Sequence, residues 1–180
     1  MNARLLLGVF IFIAVLPVRG QEGPVIQEGQ VDASKIVDAL APHKPIRTRS
    51  LQIVREDMDS AGGGSQPAKV SLLITFDTNS SNLTRSAKQS LDAVGQALSS
   101  EKLASSRFAI EGHADPRGAA AANLKLSEQR AQSVREYLVQ NMNIDAARLE
   151  AVGKGDREPM NKSNPLAPEN RRVTIVNLSR

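Results

Sequence analysis

Hydrophobic positions follow two distinct periods from residue 70 onward. Apolar and polar residues alternate in four segments, as is typical of strands, and these are residues 70–76, 107–113, 148–152 and 172–178. In two other segments, residues 84–99 and 123–142, apolar residues recur every three or four positions, which is typical of amphipathic helices. The order β-α-β-α-β-β predicts an α+β fold, a small mixed β-sheet with two helices packed on one face, over residues 70–180.

The first twenty residues have the pattern of a targeting segment. Arg4 precedes an unbroken apolar run over residues 5–16, Pro17 ends the run, and small residues stand before Gln21. This order is typical of a secretory signal peptide. A membrane anchor is the alternative, but spanning a bilayer takes about 20 apolar residues and this run is shorter. We therefore expect residues 1–20 to direct export.

Residues 21–69 have a mixed pattern and no sign of a core of their own. Residues 32–40 predict a short helix capped by Asp32 or Ser34, and residues 50–55 alternate like a strand. Residues 61–67 are rich in Gly, Ser and Pro, which predicts a flexible linker. We interpret 21–69 as a partly ordered N-terminal segment and linker.

Composition and charge exclude several classes of function. The chain of 180 residues has no Cys, so disulfides, a cysteine nucleophile and an N-terminal lipid on Cys are excluded. The net charge of +4 includes Arg4 and Arg19 of the predicted leader. The remaining basic residues are scattered among acidic ones, so no stripe suited to phosphates is present and no nucleic-acid partner is expected.

One carboxylate and one guanidinium stand out as candidate binding groups. Asp115 lies just past the strand at 107–113, in a turn with Arg117 and Gly118, and Arg130 lies about two turns into the following helix. An anion and a cation at one rim match a zwitterion that carries an ammonium and a carboxylate on one carbon. A plain surface ion pair between Asp115 and Arg130 is the alternative that the spacing leaves open.

Metal binding and catalysis find little support in the sequence. Glu111, His113 and Asp115 share one strand parity, but a site with two His ligands needs another His, and His43 lies in the N-terminal segment. We expect His113 to make local hydrogen bonds and the chain to hold no metal or cofactor. The sequence lacks a G-x-S-x-G elbow and a Cys nucleophile, so no enzyme is expected, with a two-carboxylate hydrolase as the remaining alternative.

Several motifs in a fixed order carry a family resemblance. They are Phe76-Asp77 with Ser80, Glu111-Gly112-His113-Ala114-Asp115 with Gly118, Asn123-x-x-Leu126-Ser127-x-x-Arg130-Ala131, Gly153-x-Gly155 with Pro159, and Asn170-Arg171-Arg172-Val173. With these, residues 70–178 resemble the OmpA-like C-terminal domain, the peptidoglycan-associating module of bacterial envelopes. Two positions depart from the family pattern, which usually has Thr at Ala114 and a small or hydroxylic residue at Arg117.

The resemblance implies non-covalent binding of peptidoglycan through the diaminopimelate of the peptide stem. Asp115 would hold its ammonium and Arg130 its carboxylate, with Asn79, Asn123 and Arg171 as supporting pocket residues. Two local alternatives remain, since Asn123 would also suit the start of the second helix and Arg171 would also suit pairing with acids.

The resemblance also implies a place in the envelope, in the periplasm or associated with the outer membrane. An envelope protein partner bound through 21–69 is a further hypothesis. The competing function is that of a protein–protein adaptor that keeps the fold without binding the wall.

Overall fold

The computed structural model describes residues 24–28, 30–41, 67–74, 76 and 80–179. The predicted signal peptide, the predicted strand at 50–55, nearly all of the predicted linker at 61–67 and the predicted pocket residue Asn79 lie outside the described residues. No described helix is both long and apolar enough to cross a membrane.

A mixed sheet of five strands forms the centre of the described structure, in the spatial order β1-β2-β5-β3-β4. β1 runs parallel to β2 and β3 parallel to β4, while β5 is antiparallel to both of its neighbours. This confirms the predicted α+β class. The strands are β1 (Val25–Ile26), β2 (Lys69–Leu72), β3 (Phe108–His113), β4 (Leu149–Gly155) and β5 (Val173–Asn177).

Three helices, α1 (Ala33–Leu40), α2 (Arg85–Leu98) and α3 (Ala120–Met142), accompany the sheet. α2 begins after Thr84, whose hydroxyl accepts a hydrogen bond from the amide of Ala87 at 3.2 Å. The apolar faces of α2 and α3 meet alternate side chains of the strands in one core. Its fully buried members include Leu91, Val94, Val134, Leu138, Phe108, Ile110 and Ile175.

Part of the N-terminal segment belongs to this same core. The carboxylate of Asp32 accepts a hydrogen bond from the amide of Ser34 at 2.8 Å, which starts α1 as the sequence predicts. Ile36 and Leu40 of α1 are fully buried, and α1 packs on α2 and β2. At the far end of β5, the side-chain amide of Asn177 donates to the carbonyl of Leu40 at 2.9 Å. Residues 24–28 and 30–41 are therefore part of the same folded domain.

α3 lies unusually close to the sheet because two strand positions have no side chain. A Cβ on Gly112 of β3 would overlap the carbonyl oxygen of Ser127, and one on Gly153 of β4 would lie 2.9 Å from the carbonyl oxygen of Leu124. This approach brings the first half of α3 against the carboxyl ends of β3 and β4.

Three element boundaries differ by three or more residues from the predicted ones. β4 continues to Gly155, past its predicted end at residue 152. The first long strand ends at Leu72 rather than at Phe76, which instead forms an isolated antiparallel bridge with Leu83. α3 begins at Ala120, before the predicted start at Asn123.

Candidate ligand-binding site

A nearly buried carboxylate lies where the chain leaves β3. The side chain of Asp115 is 8% exposed, and its Oδ2 accepts a 2.8 Å hydrogen bond from Nη1 of Arg171. Nε of Arg117 lies 3.6 Å from the same oxygen, and the amide of Arg117 donates to Oδ1 at 3.3 Å. Asp115 therefore has one cation from its own turn and a second from the segment that enters β5.

Arg130 lies on α3, near Asp115, and is held by the segment after β2. We call the surface formed by Asp115, Arg117, Arg130 and Arg171 the rim. Its Nε donates to the carbonyl of Ser80 at 3.1 Å, and its guanidinium lies over the ring of Phe76, 4.9 Å from the centroid. Burial lowers the pKa of Arg130, the charge of Arg171 lowers it further, and the carboxylate of Asp115 opposes both. Two guanidinium groups thus contact the carboxylate of Asp115, and that of Arg130 interacts with it electrostatically.

The ion pairs of Asp115 differ from the sequence expectation. Among the described residues Asp115 contacts Arg171 and Arg117, and no ion pair within 4.0 Å joins it to Arg130. The simple surface pair between Asp115 and Arg130 is therefore not present. The guanidinium of Arg130 is instead tethered through its Nε, so that its outer N–H groups have no hydrogen bond to the described chain.

Asn123 fastens the turn that carries Asp115. Its Nδ2 donates to the carbonyl of Asp115 at 3.1 Å, to the carbonyl of Gly118 at 3.3 Å and to Oδ2 of Asp156 at 3.1 Å. The N-cap of α3 is Ala119, which makes no side-chain cap. Asn123 therefore does not cap α3. Its buried side chain instead holds the turn of Asp115 through hydrogen bonds.

Asn170 supports the rim from the other side and was given no role of its own by the sequence. It is 1% exposed, accepts from the amide of Asn161 at 2.9 Å, and donates to the carbonyls of Asn161, Asn164 and Pro165. These bonds shape the loop over residues 156–168. The sequence feature that could have indicated this role is the position of Asn170 beside Arg171 in a family motif. A motif alone does not show which of its side chains is buried.

His113, two residues before Asp115, points away from the rim. Since Gly112 faces α3, the alternation along β3 sends His113 to the opposite face of the sheet. Its side chain makes no hydrogen bond among the described residues, so the expected local hydrogen bonds are wrong. Burial, and after it the charges of Arg172, Lys154 and Lys69, lower its pKa to about 3. In the described residues no group of three or more His, Asp or Glu is arranged to hold a metal.

Comparisons with known proteins agree on one family. The model of the OmpA family matches residues 75–172. Outer membrane protein Omp38 of Acinetobacter baumannii is 34% identical over 152 residues, which cover 83% of this chain and 39% of that protein. The peptidoglycan-associated lipoprotein of Agrobacterium fabrum is 32% identical over 122 residues, covering 65% of this chain and 67% of that protein. The chain thus spans well under half of the length of Omp38.

Solved structures of low identity have the same fold. The peptidoglycan-associated lipoprotein from Burkholderia pseudomallei is 28% identical with a TM-score of 0.50, over 59% of this chain and 88% of that one. The OmpA-like domain of FopA1 from Francisella tularensis gives a TM-score of 0.52 at 21% identity, over 60% of this chain and 70% of that one. At that identity the second likeness concerns the fold alone.

Proposed function

Because this chain belongs to the OmpA family, we propose that it binds peptidoglycan non-covalently and holds the diaminopimelate of a peptide stem at the rim around Asp115. The observation that carries the proposal is a nearly buried carboxylate that contacts the guanidinium groups of Arg117 and Arg171 and interacts electrostatically with that of Arg130. Relatives named peptidoglycan-associated lipoprotein, in Agrobacterium fabrum and Rhizobium meliloti, support wall association as the broader activity.

The rim offers both halves of a zwitterion site. A carboxylate has about four lone-pair positions, and Asp115 uses some of them for Arg171 and the amide of Arg117, so an ammonium still has a place to bind. Arg130 has five N–H donors and uses Nε for Ser80, and within the described residues its outer N–H groups make no hydrogen bond, so they can offer a two-point contact to a carboxylate. The stack on Phe76 keeps that edge in one orientation.

This division of roles also predicts which stems bind. The side chain of diaminopimelate ends in an ammonium and a carboxylate on one carbon, whereas lysine ends in the ammonium alone. A lysine stem would satisfy Asp115 and leave Arg130 without its anion. We therefore expect diaminopimelate-containing walls to bind and lysine-containing walls to bind much more weakly.

The test is co-sedimentation of the full chain with purified diaminopimelate-type sacculi. Wild type should pellet, while Asp115→Ala and Arg130→Ala should stay in solution with unchanged circular dichroism. Asp38→Ala and Arg85→Ala are matched controls because both residues are exposed and lie outside the rim, so they should pellet like wild type. Arg130→Lys keeps the charge but loses the planar fork and should bind weakly. Wild type remaining in solution, or all variants pelleting alike, would overturn the proposal.

We also infer that the protein acts in the cell envelope and that a protein partner, if one binds the N-terminal segment, does so through residues 42–66. Deleting all of 21–69 would remove Ile36 and Leu40 from the core, so it would test folding rather than binding. A pull-down from envelope extracts should therefore compare wild type with a deletion of 42–66 only. If every partner is retained by the deletion, the adaptor hypothesis fails while wall binding is unaffected.

A further inference from the structure

A cavity of about 250 Å³ lies on the side of the sheet away from the helices. Val70 and Leu72 of β2 point into the core, so the alternation of side chains turns Lys69 and Ser71 to the other face, where they line the cavity. β3 and β5 complete its floor, and residues 157–160 and 162, in the loop between β4 and β5, form its wall. The cavity is thus separate from the rim at Asp115.

Positive charge is in excess around this cavity. Its lining contains four basic side chains, Lys69, Arg157, Lys162 and Arg172, and two acidic ones, Glu111 and Glu158. Both acids are already engaged by Lys154, whose Nζ lies 3.2 Å from Glu111 and 3.1 Å from Glu158. An anion entering the cavity would therefore meet cations more than carboxylates.

His113 supplies a buried polar group with no partner. It is 3% exposed and lines the cavity, and neither Nδ1 nor Nε2 makes a hydrogen bond within the described part of the chain. Nε2 lies 3.9 Å from Oε2 of Glu111, too far for a hydrogen bond. A buried polar group without a partner costs about 1–3 kcal/mol, so such a group indicates a missing ligand or water.

The cavity floor also contains uncharged hydrogen-bond donors. The hydroxyls of Ser71 and Thr174 on the cavity floor are hydrogen-bonded to each other at 3.0 Å, so one of the two O–H groups remains as a donor. Because burial and nearby cations lower the pKa of His113 to about 3, its imidazole is neutral and carries one N–H donor. A hydroxyl, an imidazole N–H and several cations around one small space are donors that a multi-oxygen anion can satisfy together.

We propose that this cavity binds a small oxyanion, a phosphate or a carboxylate group, held by Lys69, Lys162 and Arg172 with His113 at its floor. Arg171 and Arg172 are neighbours in the chain, yet Arg171 contacts Asp115 while Arg172 lines the cavity, so the chain entering β5 serves two separate sites.

His113 makes the proposal directly measurable. The chain has two His, so the His43→Gln variant leaves a single imidazole to follow by ¹H–¹⁵N NMR. At neutral pH the His113 resonance should shift saturably with inorganic phosphate, and sodium chloride at matched ionic strength should leave it in place. A parallel titration with acetate separates the two ligand chemistries, and saturation by either anion supports the site.

Charge variants decide whether the cavity cations hold the anion. Lys69→Gln with Lys162→Gln should weaken binding about tenfold or more, the effect of losing a charge-assisted hydrogen bond. Lys88→Gln with Lys125→Gln removes the same charge from exposed helix positions and should bind like the parent. Asp115→Ala should also bind like the parent, because the rim is a different site. A shift that never saturates, that chloride reproduces, or that both double variants share would overturn the proposal.

Discussion

Acidification from about pH 7 to about pH 5 tests the environment of His113. In the folded chain burial lowers the pKa of His113 to about 3, with Arg172, Lys154 and Lys69 acting in the same direction, while an unfolded His titrates near its ordinary 6.5. Glu111, 3.9 Å from Nε2, is the acidic group beside it. Between these two pKa values the unfolded chain binds one proton more than the folded chain, so stability falls as the pH falls.

The expected size follows from the two pKa values. One extra proton on the unfolded state changes the free energy of unfolding by about 1.4 kcal/mol per pH unit within that window. From about pH 7 to about pH 5 the loss assigned to His113 is therefore about 2 kcal/mol, or about 5 °C in Tm for a chain of this size. His113 is 3% exposed, so solvent screening does not reduce this figure appreciably.

The assay is thermal and urea unfolding of wild type beside His113→Phe at a series of pH values, in buffer free of phosphate and carboxylates. Other groups titrate in both proteins, so the quantity of interest is the difference between the two stability curves. That difference should change by about 2 kcal/mol from about pH 7 to about pH 5, with wild type losing more. Parallel curves would refute the neutral, buried state of His113.

Three further predictions concern packing and hydrogen bonding. Gly112→Ala should lower the free energy of unfolding by about 2 kcal/mol or more in urea titrations, because its Cβ would overlap the carbonyl of Ser127, and an unchanged midpoint would contradict the close approach of α3. Burial and then the hydrogen bond to Asp92 raise the pKa of Tyr137 to about 12, so the absorbance of this sole tyrosine should titrate there and earlier in Asp92→Ala; equal midpoints would argue against the contact. Asn170→Ala should cost about 2 kcal/mol and speed hydrogen exchange in residues 156–168, since buried partners lose their bonds; exchange as slow as in wild type would exclude that role.

The helices could be predicted because their information is local. Recurrence at three and four positions predicts α2 and α3, and the cap of Asp32 predicts the start of α1. β1 could not be predicted, because it has two residues and its place depends on pairing Val25 with Ser71, far along the chain. The end of β2 could not be predicted for the same reason, since Phe76 continues the alternation but, in the part of the chain that the structure describes, forms an isolated bridge with Leu83.

The sequence indicated candidate residues of the site, but it did not indicate which of them contact each other. Motif positions indicated Asp115, Arg130, Asn123 and Arg171, each with a local alternative, and also Asn79, which lies outside the described residues. The contact between Asp115 and Arg171 joins residues 56 positions apart, and no local pattern encodes it. The spacing of Asp115 and Arg130 instead favoured a direct pair, because it contains no information on the carbonyl of Ser80 that holds Arg130.

The two ends of β5 lie at opposite ends of the domain, and Asn177 is the last residue of this strand. The amide N–H of Asn177 donates to the carbonyl of Ala68 at 2.8 Å and its side chain donates to the carbonyl of Leu40, so Leu40 and Ala68 are both held at the end of β5. Arg171, at the rim, precedes the start of the same strand. With about 3.4 Å per residue the two points lie about 20 Å apart along β5. The described residues that flank the stretch 42–66, Leu40 and Ala68, therefore lie at the end of the domain opposite the rim.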